Sequence, residues 1–523
     1  MLESGKSRHP NSFHIQVNLS GLYFVSSQYR KAFDAAKRAR EIDPERKEGH
    51  AAMLRFLGTG DRIQLTESEK LLAQESIEKG AGIVKIDMPV SADGHIDLTA
   101  MMALLKEQDE QVEAQMKVYR EKRLPLTVLS RLLGRELVDT WFGITHSTQH
   151  RLYCAIGTAD EQEAEQALVN KAEEIVIDAT ALIGLQSVGH LNLLPKMFKH
   201  ICVATSTYEK FLEELRHLEA FAVSSGTIRL SEGRLQMTET GEVYHQAKLD
   251  ILKPIVAFLE SDSVSIEGMD EIAWAAWQQL AKLEAFAEWI LAPAFLAKSR
   301  NCAYYCDEFV MRAIAAQRDK VAGFSIQAMM RSAASRGVIS NAEHHVAIMR
   351  LVGFNYDFIS LSLDIIMSHL RATKFAKTEL ITKTFRQLEA GNYTDEHSIR
   401  IIGGLAANLW FEVDDSNMTS REDWIGCCVS SLNAAKVRSV ALIQFIGALI
   451  PPLIEFPEAI SGLLLHLSQH SGFSAQEREL VAGMSDRIYE VVPAETKTLT
   501  PRTRAAWEKL LHWKKQKQLF FRR

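Results

Sequence analysis

The run EEIVIDATALIGLQSVGHLNLLPKMFKHICVATSTYEKFLEEL, from Glu173 to Leu215, decides the fold. Its β-branched opening, Ile175-Val176-Ile177, reads as a buried strand and ends in a carboxylate, Asp178. The small residues Ala179, Thr180 and Ala181 follow at once, so Asp178 can also serve as the cap of a helix. An apolar stretch leads to a second strand, Ile201-Cys202-Val203-Ala204, which opens into Ser206-Thr207 and an acidic helix. Strand and helix in alternation predict an α/β domain with a parallel sheet.

A second segment, Asn301 to Ala316, repeats the device. An apolar strand ends in Asp307-Glu308, and a helix with small residues at Ala313, Ala315 and Ala316 follows. Further on, Phe358-Ile359-Ser360-Leu361 reads as a last strand. In an open parallel sheet the functional groups gather at the carboxyl ends of strands, so Asp178 and Asp307 can converge despite their separation in sequence. Like charges repel unless a cation lies between them. A hard divalent ion with oxygen ligands resolves that conflict and suits phosphodiester hydrolysis.

In this order the two segments resemble the PIN-domain nucleases, over roughly residues 172–365, with Val321–Gln327 resembling the family's next short strand and Met329–Ile339 its next helix and turn. The resemblance implies a central PIN-like parallel sheet with flanking helical regions and a catalytic site of acids that ligate Mg²⁺ or Mn²⁺. It implies Asp178 and Asp307 as the first and last ligands. A further acid belongs on the helix after the second strand, where Glu209 is favoured over Glu213 and Glu214; Ser206 and Glu209 also read as a capping box. Another belongs on the helix before the Asp307 strand, where Glu284 is favoured over Glu288 and Asp270. The substrate implied by the family is single-stranded RNA.

Residues near 13–46 resemble one tetratricopeptide repeat, with Leu19, Tyr23, Ala32, Ala36 and Ala39 at its packing positions and Pro44 closing it. Gln16 and Ser20 stand where the repeat usually has tryptophan and glycine. One repeat cannot bury both faces, so this helix pair needs a neighbour, or belongs to a longer protein. Repeat and PIN-like segment together resemble bacterial conflict-system proteins that join tetratricopeptide repeats, a Gre-factor-type domain and a PIN domain. No Gre-type segment is evident in the sequence.

The remaining stretches set bounds. At 523 residues several domains are expected, and a net charge of −6 leaves no global basic field for polyanions. The clearest local basic patch is one tail, Trp513 to Arg523, read as a solvated end or a binding arm. Six cysteines without a paired Cys or His motif make no zinc site and suit a reducing, cytoplasmic setting. The apolar run Val440–Ile450 is stopped by Pro451-Pro452, too short for a span of roughly 20 residues. Gly82–Asp87 and Arg151–Ile156 read as strands, Leu98–Tyr119 and Asp160–Ala172 as helices. Leu126–Arg135 has the look of the start of a helix-turn-helix, without an exposed second helix to read DNA. His466 and His470, four apart, read as surface or packing residues for want of an acidic third ligand in register.

The sequence thus predicts a helix pair at 1–65, an α/β accessory segment at 66–170, a PIN-like nuclease domain at 171–365 and a helical bundle at 366–523. The function expected is a metal-dependent endoribonuclease, an effector of phage defence, with protein partners on the helical regions and no membrane. The rival is a non-catalytic interaction scaffold in which the acids are structural.

Overall fold

In a computed structural model the described residues are most of 12–432, apart from 57–62, 80–96, 156–158, 221–224, 277–287, 390–394, 414–418 and some shorter breaks. Beyond 432 they are short stretches between 444 and 482. The strand read at 82–87, the tail from 513, Glu284 and most of the run 440–450 lie outside them. Contacts divide the chain into two compact units, Met1–Glu121 with Tyr208–Ala257, and Lys122–Thr207 with Phe258–Arg523.

The first unit opens with helices α1 (Phe13–Val25), α2 (Tyr29–Ile42), α3 (Lys47–Leu54) and α4 (Glu67–Lys79), each packed on the next. Leu19, Ala32, Ala36 and Ala39 are fully buried and Tyr23 nearly so. Alanines at these positions let α1 and α2 approach closely, and Gln16 and Ser20 are buried as well. The neighbour the pair requires is supplied by α3 and α4, whose Ala52, Met53 and Ala73, with Phe56, complete one apolar cluster. Arg40 locks the arrangement by donating to the Leu72 carbonyl and pairing with Glu75 at 2.6 Å. Helix α5 (Thr99–Lys122) follows.

In the second unit, α6 (Leu126–Leu132) and α7 (Leu137–Thr145) flank a turn in which Gly134 takes φ +61°. Helix α7 buries seven of its nine residues, Trp141 and Phe142 among them, so it has no face for a DNA groove. Strand β1 (Leu152–Tyr153) and α8 (Ala159–Lys171) lead into β2 (Glu174–Ile177), α9 (Ala179–Val188), β3 (His200–Ala204) and α10 (Thr205–Ala220). Most of α10, the hairpin β4 (Ser225–Ser231) and β5 (Arg234–Thr240), and nearly all of α11 (Glu242–Leu259) belong to the first unit, and the second resumes with β6 (Ser265–Glu267) and α12 (Glu288–Arg300). Next are β7 (Ala303–Tyr305), α13 (Phe309–Ile314), β8 (Gly323–Phe324), α14 (Ile326–Ser335), α15 (Asn341–Gly353) and β9 (Tyr356–Asp357). Helices α16 (Leu363–Ala372), α17 (Glu379–Glu389), α18 (Asp395–Glu412) and α19 (Arg421–Ser431) then carry the chain to the end of its continuous description.

Five strands form one wholly parallel sheet in the order β6-β3-β2-β7-β8. The fold is therefore α/β, a parallel sheet with flanking helices. Helix α12 packs on β2, β3 and β7, burying Ile290 to Ala297 without a break. Its C-terminal Arg300 reaches Glu174 on β2 and pairs with Glu267 on β6 at 2.7 Å, pinning the edge strand. The last strand expected at Phe358–Leu361 is replaced by β9, which pairs with β1 instead of extending the sheet. The physical reason is Asn355: at φ +59° it turns the chain, and its side chain donates to the carbonyls of Ile144, Thr145 and Ser147. The extended segment therefore begins immediately after Asn355.

Candidate active site

The chain runs outward from β2 to β3 and β6 on one side, then returns to place β7 on the other. The gap between β2 and β7 is thus the topological switch point, where open α/β sheets bind ligands at the strands' carboxyl ends. Ile177 pairs with Tyr305, and the Asp178 amide donates to the Tyr305 carbonyl at 3.0 Å. Asp178 and Asp307 leave adjacent strands at that point, as expected from their places at strand ends.

Asp178 is 4% exposed and caps α9. Its Oδ1 accepts from the Ala181 amide and the Thr180 hydroxyl, both at 2.9 Å. Its Oδ2 accepts from the Tyr304 hydroxyl at 3.3 Å. Burial nevertheless pushes its carboxyl above the usual range.

Asp307 is as deeply buried and less well served. Oδ1 accepts from the Ile326 amide at 2.8 Å, while Oδ2 has no partner among the described residues. Burial, and secondarily the charge of Asp178, push this carboxyl well up. A Cβ at Gly184 on α9 would run into Asp307 Oδ2 and stand 3.0 Å from the Tyr356 hydroxyl. Glycine in a helix interior costs about 1 kcal/mol against alanine; here it makes room for the acid.

Glu308, beside Asp307, is a third buried acid to which the sequence reading assigned no role. It accepts from the Thr127 amide at 3.2 Å and the Thr127 hydroxyl at 2.8 Å. Burial, then Asp178, push it up to about 8. Arg312 is the buried cation of this region, donating to the carbonyls of Cys306 and Cys154 at 2.8 Å each. Its charge is taken by Glu165 of α8, at 2.9 Å, whose other oxygen holds the Ser325 hydroxyl at 2.6 Å. The region therefore carries more buried acid than base. The doubled acid Asp307-Glu308 was a visible signal for Glu308; nothing local marks Glu165.

The other predicted acids fare differently. Glu209 is exposed on α10 and Glu213 likewise, whereas Glu214 is buried and paired with Lys210 at 3.3 Å. The capping box of Ser206 and Glu209 does not form, because α10 already starts at Thr205 and Ser206 Oγ has no partner among the described residues. Glu288 and Asp270 are exposed.

Two buried carboxylates, one with an unpartnered oxygen, suit a hard divalent ion, which takes one or two carboxylates and completes its shell with water and phosphate. Among the described residues no group of three or more His, Cys, Asp or Glu is placed to hold an ion. His466 packs on Trp410 and His470, ring centroids 5.6 and 5.7 Å apart, as packing histidines do. Among the described residues no helix is long and apolar enough to cross a membrane.

Comparison with known families agrees with the sheet. Residues 176–317 match the PIN domain associated with the TPR-GreAB-C-PIN system. No curated protein and no solved structure gave a match. The central segment of this chain, residues 176–317, is thus similar to the PIN domains of that system.

Proposed function

We propose that this PIN domain hydrolyses phosphodiesters of single-stranded RNA, as the effector of a bacterial conflict system that acts against phage. The observation that carries the reading is Asp307 Oδ2, buried and unpartnered beside a second buried carboxylate at the sheet's switch point. Such an oxygen is costly to bury and has a use once a cation arrives.

Asp178 and Asp307 would hold Mg²⁺ or Mn²⁺, with Glu209 and Glu284 as the further acids that the family resemblance implies. The ion would supply activation of the attacking water and neutralise charge on the phosphate. Thr180, Ala181 and Tyr304 orient Asp178, and the Ile326 amide orients Asp307 so that Oδ2 stays available. Burial keeps bulk water away from both acids.

A scaffold reading rests on one observation: both Asp178 oxygens already accept hydrogen bonds, as a purely structural helix cap would. Cleavage separates the two. The full chain, given single-stranded RNA from phage-infected cells with Mn²⁺, should cut it, and EDTA should stop the reaction. Asp178→Asn and Asp307→Asn should each abolish cleavage while leaving the fold intact. No cleavage by wild type under any of these conditions supports the scaffold; cleavage by the double variant places the activity elsewhere.

A further inference from the structure

A cleft of about 280 Å³ lies within the second unit, between the loop His146–Arg151, the end of α15 and one face of α17. Every residue that lines it falls outside the matched PIN segment. Its charged lining is mostly basic, with Arg151, Lys383 and Arg386 against Glu379. Arg151 is engaged with Asp357 at 3.0 Å, and Lys383 with the Gly353 carbonyl at 2.8 Å and Glu379 at 3.6 Å. Arg386 is exposed and makes no ion pair among the described residues.

The decisive group is Gln387, which is only 4% exposed. Its Nε2 donates to the Tyr356 carbonyl at 2.6 Å, which fixes the amide's orientation, since a carbonyl needs a donor. Gln387 lines the cleft, and its Oε1 is buried with no partner among the described residues. A buried acceptor left unmade is expensive, so it calls for a donor from outside. The wall is stiff, because the Asn355 side chain ties down the carbonyls of Ile144 and Thr145 at the end of α7 and of Ser147 in the loop.

We propose that this cleft binds a nucleoside phosphate: the exocyclic amino group of its base donates to Gln387 Oε1, and its phosphate lies on Arg386 and Lys383. The buried acceptor argues against inorganic phosphate alone, which carries no amino group to satisfy it while its oxygens lie on the cations. The small, concave volume argues against a polynucleotide. The proposal does not depend on the nuclease reading, since binding is measured without metal.

The full chain in EDTA is titrated with AMP, inorganic phosphate and a 20-nucleotide single-stranded RNA, by calorimetry and thermal melting. AMP should bind and raise the melting temperature, and phosphate should bind far more weakly. Arg386→Glu, at an exposed position, should weaken AMP by about tenfold or more, and Gln387→Met should erase the preference for AMP over phosphate. Asp307→Asn should bind AMP as wild type does. Three outcomes overturn the proposal: no AMP binding, AMP binding untouched by Arg386→Glu, or AMP binding lost with Asp307→Asn. Binding of RNA without AMP also overturns it, and would make the cleft a track for a polynucleotide backbone.

Discussion

Gly184 shows how one missing Cβ builds the acid pair. Gly184→Ala should gain about 1 kcal/mol of helix propensity. It would also drive a methyl into Asp307 Oδ2 within a close-packed core, where overpacking costs about 1–3 kcal/mol. The expected result is net destabilisation in urea, largely relieved when Asp307→Ala is added; an additive double variant would show that the two residues do not meet. Glu308 gives a second test at this scale. Its carboxyl rises from 4.5 to about 8 on folding, so below 4.5 it is protonated in both states. Between 4.5 and 8 the unfolded chain loses this proton and the folded chain keeps it, so stability falls as pH rises through that window. Glu308→Gln keeps an acceptor for Thr127 and removes the titration. It should therefore be more stable than wild type at pH 8 and no more stable at pH 4.5, read from urea midpoints. An unchanged pH profile would mean that Glu308 is not held protonated.

At the scale of elements, the site depends on how β7 and the turn after it are held. Arg312 on α13 ties the Cys306 carbonyl to α8 through Glu165 and to the end of β1 through the Cys154 carbonyl. Arg312→Met leaves Glu165 buried without its cation, so a loss of about 3–5 kcal/mol is expected. The pairing Glu165→Gln with Arg312→Met should recover much of it, and a double variant as unstable as the single one would deny the pair. How much of this was legible followed the range of the interactions. Ile175-Val176-Ile177 followed by Asp178 declared β2 and its cap because the signal is local and β-branched, and the Asp307 strand declared itself likewise. Strand β6 did not, since Ser265-Ile266-Glu267 is short, largely exposed and fixed by Arg300 from 33 positions away. The β1–β9 pair was half-legible: the strand near Arg151 was read, but its partner was placed too late, because the turn depends on Asn355 reaching back to Ile144. Glu165 was invisible because its partners Ser325 and Arg312 lie more than a hundred residues away in sequence.

At the scale of the whole molecule, the two compact units predict more than one unfolding transition, since multidomain chains generally depart from all-or-none behaviour. Both Asp178 and Asp307 belong to the unit formed by Lys122–Thr207 and Phe258–Arg523. A ligand that binds only the folded form raises stability by about 2.7 kcal/mol at a hundredfold excess over its dissociation constant. Scanning calorimetry with Mn²⁺ should therefore resolve more than one transition and displace one of them upward while leaving another in place. The displacement should grow with pH, because burial keeps both carboxyls protonated beyond their usual range and an ion must replace those protons. Asp307→Asn should abolish the displacement without shifting the unresponsive transition. If Mn²⁺ moved every transition equally, or moved that of the Asp307→Asn variant as far as wild type, the ion would be binding somewhere other than between these two acids.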